Sequence, residues 1–139
     1  MAARVRHLNP AGMHTNPAFS QAVVVEESAR TIYVGGQNAV SADGRAVGAG
    51  DLARQTEQVF ENLQTVLASA GAELHDIVKW TIHVVQGQDV RPAFGVVRRV
   101  WGAAPPPAIS VIVVAGLANP EYLVELEAIA VTGASGGED

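Results

Sequence analysis

From Val124 to Val131 the chain reads Val-Glu-Leu-Glu-Ala-Ile-Ala-Val, a run whose alternation assigns every side chain to a face. Val124, Leu126, Ala128 and Ala130 fall on one side of such a strand and Glu125, Glu127, Ile129 and Val131 on the other. The first set is core. The second places two carboxylates among apolar neighbours, where each has to find a partner, face water or serve as a proton-handling group, because an unpaired buried charge is costly. The stretch from Asp76 to Val85 repeats the arrangement, with Val78, Trp80, Ile82 and Val84 on one face and Lys79, Thr81 and His83 on the other. Two strands of this kind predict a sheet with one fully apolar face and one half-polar face.

Other segments fill in around them. Gln21 to Glu26 and Thr31 to Gly35 are short β-rich runs separated by Glu27-Ser-Ala-Arg30, and they predict a hairpin closed by a polar loop. Gly35-Gly36-Gln37-Asn38 ends the second run. Between Asp51 and Ala70, Leu52, Val59, Phe60, Leu63, Val66 and Leu67 recur at helical spacing, with Asp51 as N-cap and Gly71 as the stop. A second helix is predicted from about Asp89 to Trp101, with Pro92 in its first turn and Phe94, Val97 and Trp101 on its buried side. Ala103-Ala-Pro-Pro-Pro107 ends it, and strands over Ala108 to Val114 and Tyr122 to Val131 complete the order β-β-α-β-α-β-β. This is an α+β pattern with two helices on one face of a mixed sheet. With 139 residues, 48% of them apolar, residues 1–132 suit one domain, and the Gly/Ser/acidic stretch 133–139 reads as a flexible acidic tail. The half-polar face opposite the helices is too apolar for simple solvation and too charged for a monomer core, so burial against a second copy is expected.

Composition excludes several classes. There is no cysteine, hence no disulfide, thiolate ligand or thiol nucleophile. The start, Met-Ala-Ala-Arg-Val-Arg-His7, lacks the apolar stretch of a secretory signal, and the apolar run Ala108 to Ala118 is too short to span a bilayer, so a cytoplasmic location is expected. A formal charge of −5 and a single lysine, Lys79, argue against nucleic acid as a partner. His7, His14, His75 and His83 show no metal-ligand spacing, and no cofactor is implied. Ser110 has neither a neighbouring base nor a Gly-x-Ser-x-Gly elbow.

Pro107-Ala108-Ile109-Ser110 followed by Glu125-Leu126-Glu127-Ala128-Ile129-Ala130 resembles the C-terminal signature of the Rid (reactive intermediate deaminase, YjgF-like) family, in which Pro-Ala-Arg-Ser precedes a Glu-x-Glu-Ala-Ile-Ala strand. The similarity extends to Asn16 through Gln21, Val34-Gly35-Gly36-Gln37, Asn62-Leu63 and Asp76-Ile77-Val78-Lys79. One residue departs: Ile109 stands where the family's deaminases carry the arginine that holds a substrate carboxylate. The resemblance implies a chorismate-mutase-like fold, a homotrimer and a small-molecule cleft between subunits. It assigns Glu125 the positioning of the water that attacks an imine carbon. Phe19, Gly36, Ile109, Ser110 and Trp101 become candidates for the cleft wall, although Trp80 and Trp101 also read as packing residues and Glu127 as an intersubunit partner of Lys79. The expected activity is imine or enamine hydrolysis of a non-standard substrate, weak or absent on ordinary 2-imino acids, since a branched alkyl group cannot replace a bidentate guanidinium. Neutral or aromatic molecules are expected to bind better than short 2-oxo acids. The alternative is a non-catalytic ligand-binding trimer, and an RNA-cleaving activity is disfavoured by the acidic charge. Arg91, Arg98 and a neighbour's Lys79 are the cations available to replace the missing arginine.

Overall fold

The computed structural model describes residues 3–133; the predicted acidic tail lies, but for Gly133, outside them. In chain order the elements are β1 (Arg4–Leu8), β2 (Ala22–Glu27), β3 (Arg30–Gln37), α1 (Leu52–Ser69), a 3-10 turn (Leu74–Asp76), β4 (Ile77–Val85), α2 (Arg91–Trp101), β5 (Ala108–Val114) and β6 (Val124–Thr132). The predicted order gains one strand at the N-terminus.

β6 is an interior strand of the main sheet. The four-stranded sheet runs β3-β6-β4-β5, antiparallel except for the parallel β4–β5 pair. In the β4–β6 ladder Trp80 stands opposite Ala128 and Ile82 opposite Leu126, while Thr81 faces Glu127 and His83 faces Glu125. The alternation read from the sequence holds across both strands except at the start of β4, where a bulge between Ile77 and Lys79 puts Ile77, not Val78, in the core. Both helices cover the Trp80 face, where Val59, Phe60, Leu63 and Leu67 of α1 meet Trp80, Leu126, Ala128 and Ala130 in one core.

Aromatic side chains tie this core together edge to face. Trp80 is 5.5 Å from Phe60 at 73° and 5.2 Å from Trp101 at 79°, and Trp101 is 4.6 Å from His75 at 70°. Such geometry directs the positive ring edge at a neighbour's negative face. One strand thus bolts both helices.

The predicted hairpin is a correction. β2 pairs with β1, through Val5–Val25, Arg6–Val24 and His7–Val23, as a separate two-stranded sheet, and β3 pairs with β6. Long-range pairing of β3 with β6, over Arg30–Val34 and again at Gln37, takes precedence over the local turn at Glu27–Arg30. The α1 caps are as expected: the Asp51 carboxylate accepts from Arg54 N at 3.0 Å, and Gly71 turns the chain with φ +74°. In α2 the fully buried residues are Ala93, Val96 and Trp101; Phe94 and Val97 are only partly covered, because they border a cavity described below.

Gln55 links α1 to the chain entering β6. Only 1% exposed, its Nε2 donates to Gly48 O (3.2 Å) and Glu121 O (2.9 Å), and its Oε1 accepts from Leu123 N at 2.8 Å. Leucine there fills the volume and strands these backbone groups, each worth about 1–3 kcal/mol when left unpaired. Gln55→Leu is expected to lower unfolding free energy by about 2–4 kcal/mol in urea titration, and a loss below about 0.5 kcal/mol would show that water takes over the bonds.

Candidate functional site

On the face away from the helices, Glu125 is half-buried and packs directly on the β3 backbone. A methyl group at position 36 would lie 2.7 Å from both the carboxyl carbon and Oε2 of Glu125. Gly36 belongs to an irregularity between Val34 and Gln37, where the β3–β6 register shifts, so the bulge that interrupts the ladder also makes room for the carboxylate. Asn38 Nδ2 donates to Glu125 Oε1 at 3.3 Å and lies 3.4 Å from Val124 O. Asn38 is itself fixed from behind, since Asn62 of α1 donates to Asn38 O at 3.1 Å and Val40 O at 2.9 Å. Across the ladder stands His83, whose Nδ1 is buried without a hydrogen-bond partner among the described residues. Glu127, Lys79 and Ser110 share this face and are exposed.

On the other face, at the open end of the core, lies a cavity of about 390 Å³. Its walls include Trp80, Phe94, Val97 and Trp101, with Ile109 and Val111 of β5 and Pro17–Phe19 of the N-terminal segment. Paired in register with Trp80, Ile109 must point to the helix side, as Ser110, paired with Thr81, must point away. Phe19 is held over the mouth by a clasp one residue on: buried Ser20 donates from its backbone to Pro107 O (3.1 Å) and from Oγ to Pro106 O (2.7 Å). His7 Nδ1 of β1 lies 2.9 Å from Pro106 O and 3.1 Å from Ser20 Oγ. The unanticipated first strand thereby anchors one wall of the cavity.

The six sequence-selected residues thus separate within one chain. Glu125 and Gly36 are in contact on the open face; Phe19, Ile109 and Trp101 line one cavity on the helix face; Ser110 belongs to neither contact set. A single cleft containing both groups requires two copies of the chain. His83 and Asn38 were missed as site residues. His83 was legible, since it alternates onto the Glu125 face, whereas Asn38 is brought in by the bulge and carried no sequence signal.

Of the cations considered, Arg91 is committed elsewhere, with Nε and Nη2 each 2.9 Å from Asp89. Its side-chain hydrogen bonds hold the Asp89 carboxyl below the usual carboxylate range, with help from the Arg91 backbone N–H. Lys79 lies on the open face with Glu125, across the sheet from Ile109 of its own chain. Arg98 lines the cavity. Among the described residues no cluster of His, Asp and Glu is placed to hold a metal, and no helix is long and apolar enough to cross a membrane.

A two-helix α+β sheet with a glycine-packed glutamate on its bare face and a hydrophobic cavity beside its parallel edge is the YjgF-like fold. The chain belongs to the family described as Endoribonuclease L-PSP, whose model matches residues 11–132. Among relatives, it is 34% identical over 119 residues to a 2-iminobutanoate/2-iminopropanoate deaminase of Rattus norvegicus, covering 84% of this chain and 81% of that protein. It is 33% identical over 135 residues to Protein DfrA of Myxococcus xanthus, covering 95% and 98%. The Rid-family protein YyfB from Yersinia pestis superposes with a TM-score of 0.81 at 39% identity, over 91% of this chain and 98% of that one. Yeast Mmf1 superposes with a TM-score of 0.65 at 26% identity, over 92% of this chain and 98% of that one.

The contact between Gly36 and Glu125 separates stability from site geometry. Because the atoms a new methyl group would meet belong to the movable end of Glu125, Gly36→Ala is expected to change unfolding free energy by less than about 1 kcal/mol while displacing the carboxylate. Any activity that Gly36→Ala retains in full would show that the position of Glu125 is immaterial to it.

Proposed function

We propose that this protein is an imine or enamine hydrolase working in clefts between identical subunits of a trimer, on a substrate other than the short 2-imino acids. The observation that carries the reading is the Glu125 carboxylate seated on Gly36, with Asn38 engaging Oε1. Family membership and the deaminase relatives support it.

An enamine first tautomerises to its imine. Water then adds to the imine carbon: Glu125 takes a proton as the C–O bond forms, the C=N electron pair goes to nitrogen, and Glu125 hands that proton to nitrogen, giving the neutral carbinolamine and a free carboxylate. The same carboxylate then relays the carbinolamine O–H proton to nitrogen, and the C–N bond breaks as the carbonyl forms, so that nitrogen departs as ammonia. Water and imine are consumed, and carbonyl and ammonia are formed. Gly36 keeps the carboxylate close to the strand, and Asn38 occupies one oxygen so that the other is available to the water. This is positioning of a reacting pair, the contribution that loose placement forfeits first.

The separation of Glu125 from the Ile109 cavity within one chain supports an assembly in which one copy supplies the base and another the cavity. Apolar exposure agrees with it: Tyr33 is 77% and Val113 65% exposed, beside Val111 and Ile112. The presence of Ile109 specifically favours a second reading, a trimer that binds its ligand without turnover.

Two measurements test these statements. Light scattering after size exclusion is expected to give three times the 14.5 kDa chain mass, and a monomer at micromolar concentration would refute the shared cleft. With imines generated in situ by an amino-acid oxidase, ammonia release from the phenylalanine-derived imine is expected to be accelerated, while that from the alanine-derived imine stays near background. Glu125→Gln should lower the accelerated rate by at least about 100-fold. No acceleration with any imine would leave the non-catalytic reading standing.

A further inference from the structure

His83 is a titratable group on the Glu125 face that the proposed hydrolysis leaves unused. It stands directly opposite Glu125 in the antiparallel β4–β6 ladder, which puts their Cβ atoms about 5 Å apart. Glu125 leans away from it: the carboxyl group lies over Gly36 of β3, and Asn38 engages Oε1. Carboxylate and imidazole therefore rise from adjacent strands without pairing with each other. Nδ1 of His83 is enclosed and has no hydrogen-bond partner among the described residues. A buried N–H lacking an acceptor is rarer in folded chains than a bare acceptor, so the neutral ring carries its proton on Nε2, and that N–H is the donor it offers. The cation of this face, Lys79, is four residues back along β4 and roughly 13 Å away, so it does not serve the same position.

We propose that His83 is a catalytic hydrogen-bond donor of this site, its Nε2–H meeting the imine nitrogen while Glu125 of the same chain handles the water. The inference rests on the hydrolase reading and adds a residue to it. As water adds, the C=N electron pair moves onto nitrogen, which gains negative charge before the proton held by Glu125 reaches it. A donor already in place at that atom stabilises charge that exists only in the transition state, and it needs no reorganisation to do so. The ring keeps its own proton throughout. The water proton still travels through Glu125 to nitrogen, and imine and water still give carbonyl and ammonia. Base and donor on either side of the β6 backbone also orient the substrate: the attacked carbon lies over that strand, its nitrogen toward β4 and the water toward β3.

The test compares the full-length protein with its His83→Leu and His83→Gln variants on the phenylalanine-derived imine generated by an amino-acid oxidase. Leucine removes the donor, whereas glutamine keeps an amide N–H at a similar reach. His83→Leu is expected to lower kcat about 100-fold with KM changed by less than about threefold, because the lost bond belongs to the transition state. His83→Gln should keep kcat within about tenfold of the natural protein. A second measurement needs no active variant: in nitrogen NMR of the natural protein at alkaline pH, the His83 ring, assigned by the signals missing from the variants, is expected to show a protonated Nε2 and a bare Nδ1. Three results would overturn the donor and leave the hydrolase standing: full activity in His83→Leu, a His83→Gln variant as slow as His83→Leu, or the proton on Nδ1. No acceleration of this imine by the natural protein would instead overturn the hydrolase, and the donor role with it.

Discussion

The register between β4 and β6 is the constraint from which both halves of the site descend. Because side chains alternate, pairing Trp80 with Ala128 forces His83 opposite Glu125, and sliding either strand by one residue would turn the glutamates into the core and Trp80 into solvent. The apolar face decides the matter. Burying Trp80, Ile82, Leu126 and Ala128 under two helices is worth far more than any interaction Glu125 makes, so the placement of the carboxylate is a by-product of packing that the chain cannot lose without unfolding.

Trp80 extends the same logic to the cavity. It belongs to the core, at 1% exposure, and also to the cavity wall, and its edge-to-face contacts with Phe60 and Trp101 fix both helices relative to the strand. The cavity is therefore the open side of the hydrophobic core. A wall built this way is rigid because the interior is close-packed, and Ile109, Phe19 and Arg98 stand among the residues that line it.

What could be read in advance followed from periodicity. The faces of β4 and β6, α1 with its Asp51 cap and the presence of α2 all came from spacing, as did the pairing of Glu125 with a half-polar surface. The side on which Ile109 falls did not, because Ala-Ile-Ser-Val-Ile-Val-Val is apolar in both phases and offers no alternation to orient it. Only the register to Trp80 settles it. β1 escaped because Arg-Val-Arg-His-Leu is short and weakly patterned, and its partner is chosen by the later chain. The contact of Asn38 with Glu125 depends on a bulge, and the clasp of His7 and Ser20 on Pro106 joins segments far apart in sequence.

The exposed edge of β5 bears on how the chain keeps from pairing with the wrong strand. Apart from one bridge between Ser20 and Ala108, this strand is paired on a single side, and from Ser110 to Val114 it offers backbone donors and acceptors with no charge, proline or lysine to deter a second strand. Edges of that kind recruit whatever β-structure arrives first. For a newly made chain such addition competes with completing its own fold, and it grows with concentration. Soluble yield on refolding is then expected to fall as protein concentration rises, even where the individual fold is stable.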